Sequence, residues 1–319
     1  MSSPLLEVKN LTISYKIKSK IVDVVKDVNF KLNKGDRLAI VGESGSGKTT
    51  LALAILGLLP KNAVVKSGEI LFNGINLLKL TSNQWRDIRW RKIAMIFQAS
   101  MNGLDPVMKI GDQLIELYIY HNKYSSKEDV KEKIVEIIKK VNLSPTVLNL
   151  YPHELSGGMK QRIIIASSLL LNPDLLIADE PTTALDVITQ SEILSLIKRI
   201  SEERNITLMF ITHDISLASL LCKKVLIMYG GTNMEEGELR EVISNPLHPY
   251  TKHLISSLLE IENGTLTQSK KDLSTYISFS GCPFNLRCPY SDDICKISYP
   301  KPIMVNDNSR IVRCFLYKR

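Results

Sequence analysis

The 319-residue chain has no run of about 18 consecutive apolar residues, so no segment reads as a membrane-spanning helix. Its most apolar stretch, Ile163 to Ala178, is broken by Asn172, Pro173 and Asp174. The N-terminus, Met1-Ser2-Ser3-Pro4-Leu5-Leu6-Glu7, lacks the basic-then-apolar order of a secretory signal. There is no internal repeat. Lys and Arg form no long block, although the net charge is +8 and the pI about 9.1. A dispersed basic excess suits nucleic acid, an anionic membrane face or a phosphate substrate, and selects none of them. These absences predict a cytoplasmic protein that meets a membrane only through a partner. Cysteine is missing before Cys222, which stands in the apolar Leu220-Leu221-Cys222 and reads as a buried thiol. The other four, Cys282, Cys288, Cys295 and Cys314, crowd the C-terminal end, where a cytosolic setting favours metal over disulfides.

What is present is a soluble globular composition, 44% hydrophobic and 23% charged, with one strong motif. Gly42-Glu43-Ser44-Gly45-Ser46-Gly47-Lys48-Thr49-Thr50 matches the phosphate-cradling P-loop pattern. The apolar run Arg37 to Val41 before it reads as a buried strand. Leu51, Leu53, Ala54, Ile55 and Leu58 after it recur at helical spacing. Gly42, Gly45 and Gly47 let the loop turn its N–H groups inward, with Ser44, Ser46 and Thr50 in the same cradle, and the helix N-terminus favours an anion. Lys48 is placed to reach β- and γ-phosphates, and the Thr49 hydroxyl to ligate Mg²⁺.

Strand and helix signals alternate along the chain. Residues 5–15 read as an edge strand, 22–32 as extended, and Ser67 to Gly74 as a strand closing on an Asn-Gly turn. Lys92 to Phe97 is a strand ending at Gln98. Residues 110–170 are mostly helical by pattern, with Ser126 as N-cap of a helix carrying Val130, Ile134, Ile137, Ile138 and Val141. Strands follow at 174–179, 206–212 and 225–229, with a short extended piece near Met234. This order predicts an α/β fold with a mostly parallel sheet and a helical insertion. Asn245 to Thr251 is a proline-punctuated break, and the polar residues 264–278 read as a linker to the cysteine-bearing tail.

Leu175-Leu176-Ile177-Ala178-Asp179-Glu180 is an apolar strand ending in two acids. Asp179 suits Mg²⁺, and Glu180 suits a general base toward water. Gln98, Asp186 and His213 are expected at strand ends, where open α/β sheets gather ligands. Ser156-Gly157-Gly158 precedes the helical run Ile163, Ile164, Ala166, Leu169 and Leu170, giving a second anion-friendly helix N-terminus.

The P-loop, Gln98, Leu155 to Arg162, Leu175 to Pro181, Thr183 to Asp186 and His213 stand in the order and spacing of ABC-transporter ATPase subunits, which residues 5–260 resemble. That resemblance implies a P-loop NTPase with a mixed sheet, an N-terminal antiparallel part and a helical subdomain at about 99–170, all within residues 1–260. It implies ATP and Mg²⁺ as ligands, with Thr49, Gln98 and Asp179 around the metal. It also implies Tyr15 stacked on adenine, Gln98 as Q-loop residue, Glu180 as catalytic base, His213 as switch histidine and Asp186 as D-loop acid. In such proteins Ser156, Gly157 and Gly158 act on the nucleotide of a second cassette, so the implied partner is another copy or an F-type paralogue. The remaining implied partners are two permease subunits on the cytoplasmic face of the cell membrane and, indirectly, an extracytoplasmic binding protein.

Met159 in the signature, Leu104-Asp105-Pro106, Asn245 to Thr251 and the tail Gly281-Cys282-Pro283-Phe284…Cys314 narrow the resemblance to the oligopeptide/dipeptide importers, D-type subunit. Peptide is the implied cargo, with nickel or oligosaccharide as alternatives. A nucleic-acid-linked ABC ATPase is the competing class, but those proteins carry a long coiled-coil insertion or tandem cassettes, and this chain has neither. Thr49 replaces the commoner serine, and no histidine precedes Cys314 in Asn308 to Arg313. The C-x5-C-x6-C-x18-C spacing admits Zn²⁺ or an iron–sulfur cluster and lacks a C-x2-C knuckle. The resemblance favours [4Fe-4S] in residues 261–319, with Zn²⁺ as the alternative.

Overall fold

The computed structural model describes residues 3–98, 100–122, 127–262, 280–305 and 310–317. In chain order, β1 (Leu6–Ile17), β2 (Lys20–Leu32) and β3 (Arg37–Val41) lead to α1 (Lys48–Ile55), β4 (Ala63–Phe72) and β5 (Ile75–Asn76). Then come α2 (Ser82–Ile88), β6 (Ile93–Ile96), α3 (Ile110–His121), α4 (Lys127–Lys140), α5 (Gly157–Leu169), β7 (Leu175–Asp179) and α6 (Val187–Glu203). The rest is β8 (Thr207–Thr212), α7 (Ile215–Leu221), β9 (Lys224–Tyr229), β10 (Thr232–Glu238), α8 (Leu239–Ser244), α9 (Pro249–Glu262), α10 (Asp293–Ile297), β11 (Ile303–Val305) and β12 (Arg310–Val312). Two compact units result: residues 1–33, 37–78 and 211–319 form one, and 34–36 with 79–210 the other. Among the described residues no helix is long and apolar enough to cross a membrane.

The first unit holds an antiparallel sheet in the order β2-β1-β4-β5. β1, expected at an edge, therefore lies between β2 and β4. Its register runs Leu6↔Leu32 to Ile17↔Lys20 on one side and Leu6↔Phe72 to Tyr15↔Ala63 on the other. Alternation marked one buried face, with Leu6, Val8, Leu11 and Ile13 almost fully enclosed, but alternation carries no information about how many neighbours a strand has. The β4–β5 hairpin turns on Asn73 (φ 48°) and Gly74 (φ 79°), as the Asn-Gly pair requires.

The same unit carries the run β11-β12-β10-β9-β3. Only β3 and β9 are parallel there; β9, β10, β12 and β11 alternate in direction, so the run is mixed, as the resemblance implied. β11 and β12 come from the cysteine-bearing tail, and Glu235↔Val312 and Glu236↔Ile311 set their register on β10. Two buried arginines root that junction. Arg310 pairs with Glu235, and Arg313 donates to Asp27 Oδ2 (2.8 Å) and the Asp27 carbonyl (2.7 Å). The expected linker 264–278 lies outside the described residues.

In the second unit β6 and β7 are parallel, Ile93↔Leu175 to Ile96↔Ala178, in the order β8-β7-β6. Both are wholly buried, which is why they read as unbroken apolar runs. α4 buries Val130, Ile134, Ile137 and Ile138, the predicted stripe; its expected N-cap, Ser126, is outside the described residues. α5 starts at the Ser156 cap, whose Oγ accepts from Met159 N–H (3.2 Å).

Candidate nucleotide site

In the first unit the glycine loop joins β3 to α1. A Cβ on Gly42 would stand 2.1 Å from the Met228 carbonyl oxygen, and one on Gly47 (φ 94°) 2.6 Å from that of Val24, so only glycine fits at either place. Lys48 is 6% exposed. Its ammonium donates to the carbonyls of Gly42 (2.6 Å) and Glu43 (2.9 Å) and to Ser46 Oγ (3.3 Å), so the loop's own oxygens hold it over the cradle. Ser44, Gly45 and Thr49 face solvent, as a docking anion demands, and Thr50 is half-buried. The Tyr15 hydroxyl lies 3.4 Å from Thr50 Oγ1, which puts this half-buried aromatic side chain beside the start of α1. α1 ends at Ile55, one turn earlier than its apolar spacing suggested, because Gly57 (φ 62°) breaks it and leaves Leu58 partly exposed. His213 is exposed directly after β8, at the expected strand end.

In the second unit Asp179 closes β7 and is 1% exposed. Glu180 follows at φ 45°, a left-handed conformation that costs an ordinary residue free energy and that clusters at functional positions. Its Oε2 accepts from Gln98 Nε2 (3.0 Å) and Thr183 Oγ1 (3.2 Å). Gln98 and Glu180, far apart in sequence, are thus brought into contact. Thr183 opened a motif segment, Thr183 to Asp186, but was given no role of its own by sequence. Ser156 and Gly157 are exposed at the N-terminus of α5. A Cβ on Gly158 would meet Thr189 Cγ2 at 2.9 Å. Asp186 is not at a strand end: it caps α6, its Oδ1 accepting from Thr189 N–H (3.0 Å), which lowers its carboxyl pKa.

The four tail cysteines line one cavity of about 190 Å³ together with Phe284, Asn285 and Phe315. Burial raises all four thiol pKa values, that of Cys282 to about 12. Among the described residues, no group of three or more His, Cys, Asp or Glu side chains is arranged to hold a metal ion, so neither the expected [4Fe-4S] cluster nor its Zn²⁺ alternative has support in the side-chain geometry. Cys222 is buried, and burial takes its thiol to about 12, as its apolar setting suggested.

A cavity of about 740 Å³ in the second unit is lined by Arg86, Arg89, Gln113, Glu116, Tyr120 and His121 among others. No motif pointed to it. Glu43, Tyr250 and Arg287, which meet at the glycine loop, fall in three different motifs, none of which pointed to their meeting; Glu43 occupies an unrestricted position of the P-loop pattern.

A buried strand, a glycine loop gripping its lysine, and a strand-end acid pair with a hydrogen-bonded glutamine define a P-loop nucleotide-binding protein with a helical subdomain. The ABC transporter family model matches residues 25–183, and the oligopeptide/dipeptide transporter C-terminal region matches residues 234–295. The chain is 41% identical to the dipeptide transport ATP-binding protein DppD of Lactococcus lactis, over 90% of this chain and 81% of that one. It is 40% identical to the oligopeptide transport ATP-binding protein OppD of Escherichia coli, over 98% and 93%. The dimeric structure of a bacterial ABC transporter cassette superimposes with a TM-score of 0.66 at 32% identity, covering 74% of this chain and 99% of that one. The chain belongs to the ABC transporter family, among the ATP-binding proteins of its oligopeptide/dipeptide branch.

Proposed function

We propose that this chain is the ATP-hydrolysing subunit of a peptide importer. The observation that carries the reading is the Glu180 carboxylate, held by Gln98 and Thr183 one residue after the buried Asp179. On this reading Lys48 neutralises the β- and γ-phosphates, the loop from Gly42 to Thr50 cradles them with the N–H groups it does not spend on Tyr250 or on its own turn, and Tyr15 stacks on adenine. Glu180 accepts a proton from the attacking water, Gln98 orients that water, and His213 contacts the γ-phosphate. A buried carboxylate and a threonine hydroxyl suit Mg²⁺, which takes one or two protein oxygens and completes its shell with phosphates and water. Thr49, Asp179 and Gln98 would hold it, and Mg²⁺ would supply charge neutralisation at the phosphates.

Ser156, Gly157 and Gly158 serve the nucleotide of a second cassette, either this chain or an F-type paralogue, with Asp186 at the interface between them. The exposed start of α5 supports this. Two permease subunits complete the assembly at the cytoplasmic face of the membrane, with a binding protein delivering peptide outside. Glu180→Gln should abolish turnover while ATP still binds. Hydrolysis at the parental rate would remove Glu180 from its role.

A single tetrahedral metal draws its sulfurs within about 2.3 Å of one point, whereas a cluster spreads its four thiolates over its corners. What supports [4Fe-4S], with Zn²⁺ as the alternative, is the lining of one cavity by Cys282, Cys288, Cys295 and Cys314 in a tail that matches the oligopeptide/dipeptide C-terminal region as far as Cys295; the four would hold the cluster after loss of their thiol protons. Iron and acid-labile sulfide below stoichiometric trace after anaerobic purification would exclude it.

A further inference from the structure

Glu43 is gripped at all three of its polar groups. Its backbone N–H donates to the Tyr250 hydroxyl (3.0 Å). Its carboxylate accepts Arg287 Nη1 at 3.0 and 2.8 Å. Its carbonyl accepts the Lys48 ammonium at 2.9 Å and the Ser46 N–H at 3.2 Å. A peptide held this way cannot shift at one end without moving what the other end holds.

Arg287 is itself fixed. Its Nη2 lies 3.1 Å from His253 Nε2, and its Nη1 is 3.4 Å from the Tyr229 hydroxyl. The guanidinium stands 5.7 Å from the ring centres of both Tyr229 and Phe284. Those rings belong to one aromatic cluster: Tyr229 and Tyr250 are 4.5 Å apart, and Phe284, almost fully buried, meets Tyr229 edge-on at 5.3 Å. Arg287 also sits on a tight turn. Asn285 N–H donates to the Cys282 carbonyl (3.1 Å) and Arg287 N–H to that of Phe284 (3.0 Å), so the turn opens at Cys282 and closes at Cys288.

The geometry points to Arg287 as a positioning residue for the P-loop: through Glu43 it sets where the Lys48 ammonium stands, and it ties that placement to the turn between Cys282 and Cys288. The chemistry is a charge-assisted pair acting on a backbone carbonyl, with no contact between Arg287 and nucleotide. It rests on the nucleotide reading above, and it adds that the tail contributes to nucleotide affinity in the same chain. The sequence hid the link because Glu43 and Arg287 belong to different motifs and neither is a motif-defining position.

The test uses the full chain, Mg²⁺ and a fluorescent ATP analogue in equilibrium titrations. Arg287→Ala and Glu43→Ala should each raise the dissociation constant roughly five-fold, the loss expected for a partly exposed charge-assisted pair, and the double variant should bind no worse than either single one. Arg287→Lys should recover part of the loss. In turnover, KM should rise with kcat near the parental value, which general loosening of the fold would not produce. Glu43→Ala leaves the tail untouched and keeps the test alive if Arg287→Ala does not fold. Binding by folded Arg287→Ala within about twofold of the parent would overturn the proposal, as would an undiminished Arg287→Ala loss in the Glu43→Ala background. A parent chain that binds no nucleotide overturns the nucleotide reading itself, a distinct result.

Discussion

Replacing Glu235 by leucine should cost this protein more stability than any surface change. Glu235 and Arg310 have side chains 0% and 1% exposed. The carboxylate also accepts the backbone N–H groups of Leu247 (3.1 Å) and His248 (2.8 Å), and Arg310 Nη1 donates to the Asn245 carbonyl (2.7 Å). Removing the acid strands a buried guanidinium, which costs about 3–5 kcal/mol, and frees two backbone donors at about 1 kcal/mol each. These terms share one site and do not add fully, so ~4 kcal/mol is the working figure. At about 2–4 °C per kcal/mol for a unit of this size, the melting point should fall by roughly 10 °C. Calorimetry is the right assay, because both tryptophans, Trp85 and Trp90, lie in the second unit and report on the wrong part of the chain. Glu235→Leu with Arg310→Met should regain more than half the loss, since apolar replacement of both partners removes the stranded charge. A single-variant loss below about 1 kcal/mol, or a double variant as poor as the sum of the singles, would refute the assignment of this pair as the root of the tail.

Two further outcomes follow from other parts of the structure. His248 is buried, and burial lowers its pKa to about 3, while its Nδ1 accepts the Tyr250 N–H (3.0 Å). The unfolded chain binds that proton first, so the contribution of His248 is complete above about pH 6.5 and is lost as pH falls from about 6.5 toward 3, amounting to ~1.4 kcal/mol by about pH 5.5. His248→Asn should flatten that slope in urea titrations at several pH values; an unchanged slope would assign it elsewhere. For the proposed two-cassette site, a mixture of Lys48→Ala and Ser156→Arg chains should recover hydrolysis that neither variant shows alone, because on that reading a mixed dimer would contain one intact P-loop facing one intact signature. No recovery would exclude self-pairing and leave a paralogue as the second cassette.

The parts of the fold that were readable from sequence are those governed by local rules. A glycine loop needs its flanking strand and helix, an Asn-Gly pair needs its hairpin, and a buried parallel strand has to be apolar throughout, so β3, α1, the β4–β5 turn and β7 were legible. Neighbour relations were not. β1 reads the same whether one strand or two flank it, and Asp186 reads as a strand-end acid until the N–H it caps is known. The tail is the sharpest instance. Its cysteine spacing signalled a bound group, but the residues that fasten it were invisible, because Arg287, Arg310 and Arg313 are ordinary basic residues until Glu43, Glu235 and Asp27 are found opposite them. All three acids lie in the nucleotide-binding part of the chain, one of them inside the glycine loop. A tail needed only to hold a metal group would require the four thiols and a hydrophobic seat. Three arginine–carboxylate pairs, two of them with the guanidinium fully buried, constrain its position relative to β10 and the P-loop as well. Each of these guanidiniums also reaches a second partner, His253, the Asn245 carbonyl or the Asp27 carbonyl, so the pairs specify orientation more than they add stability. That argues for a tail whose placement matters to the loop, and it makes nucleotide affinity, measured before any turnover, the property in which a disturbed cysteine turn should first be seen.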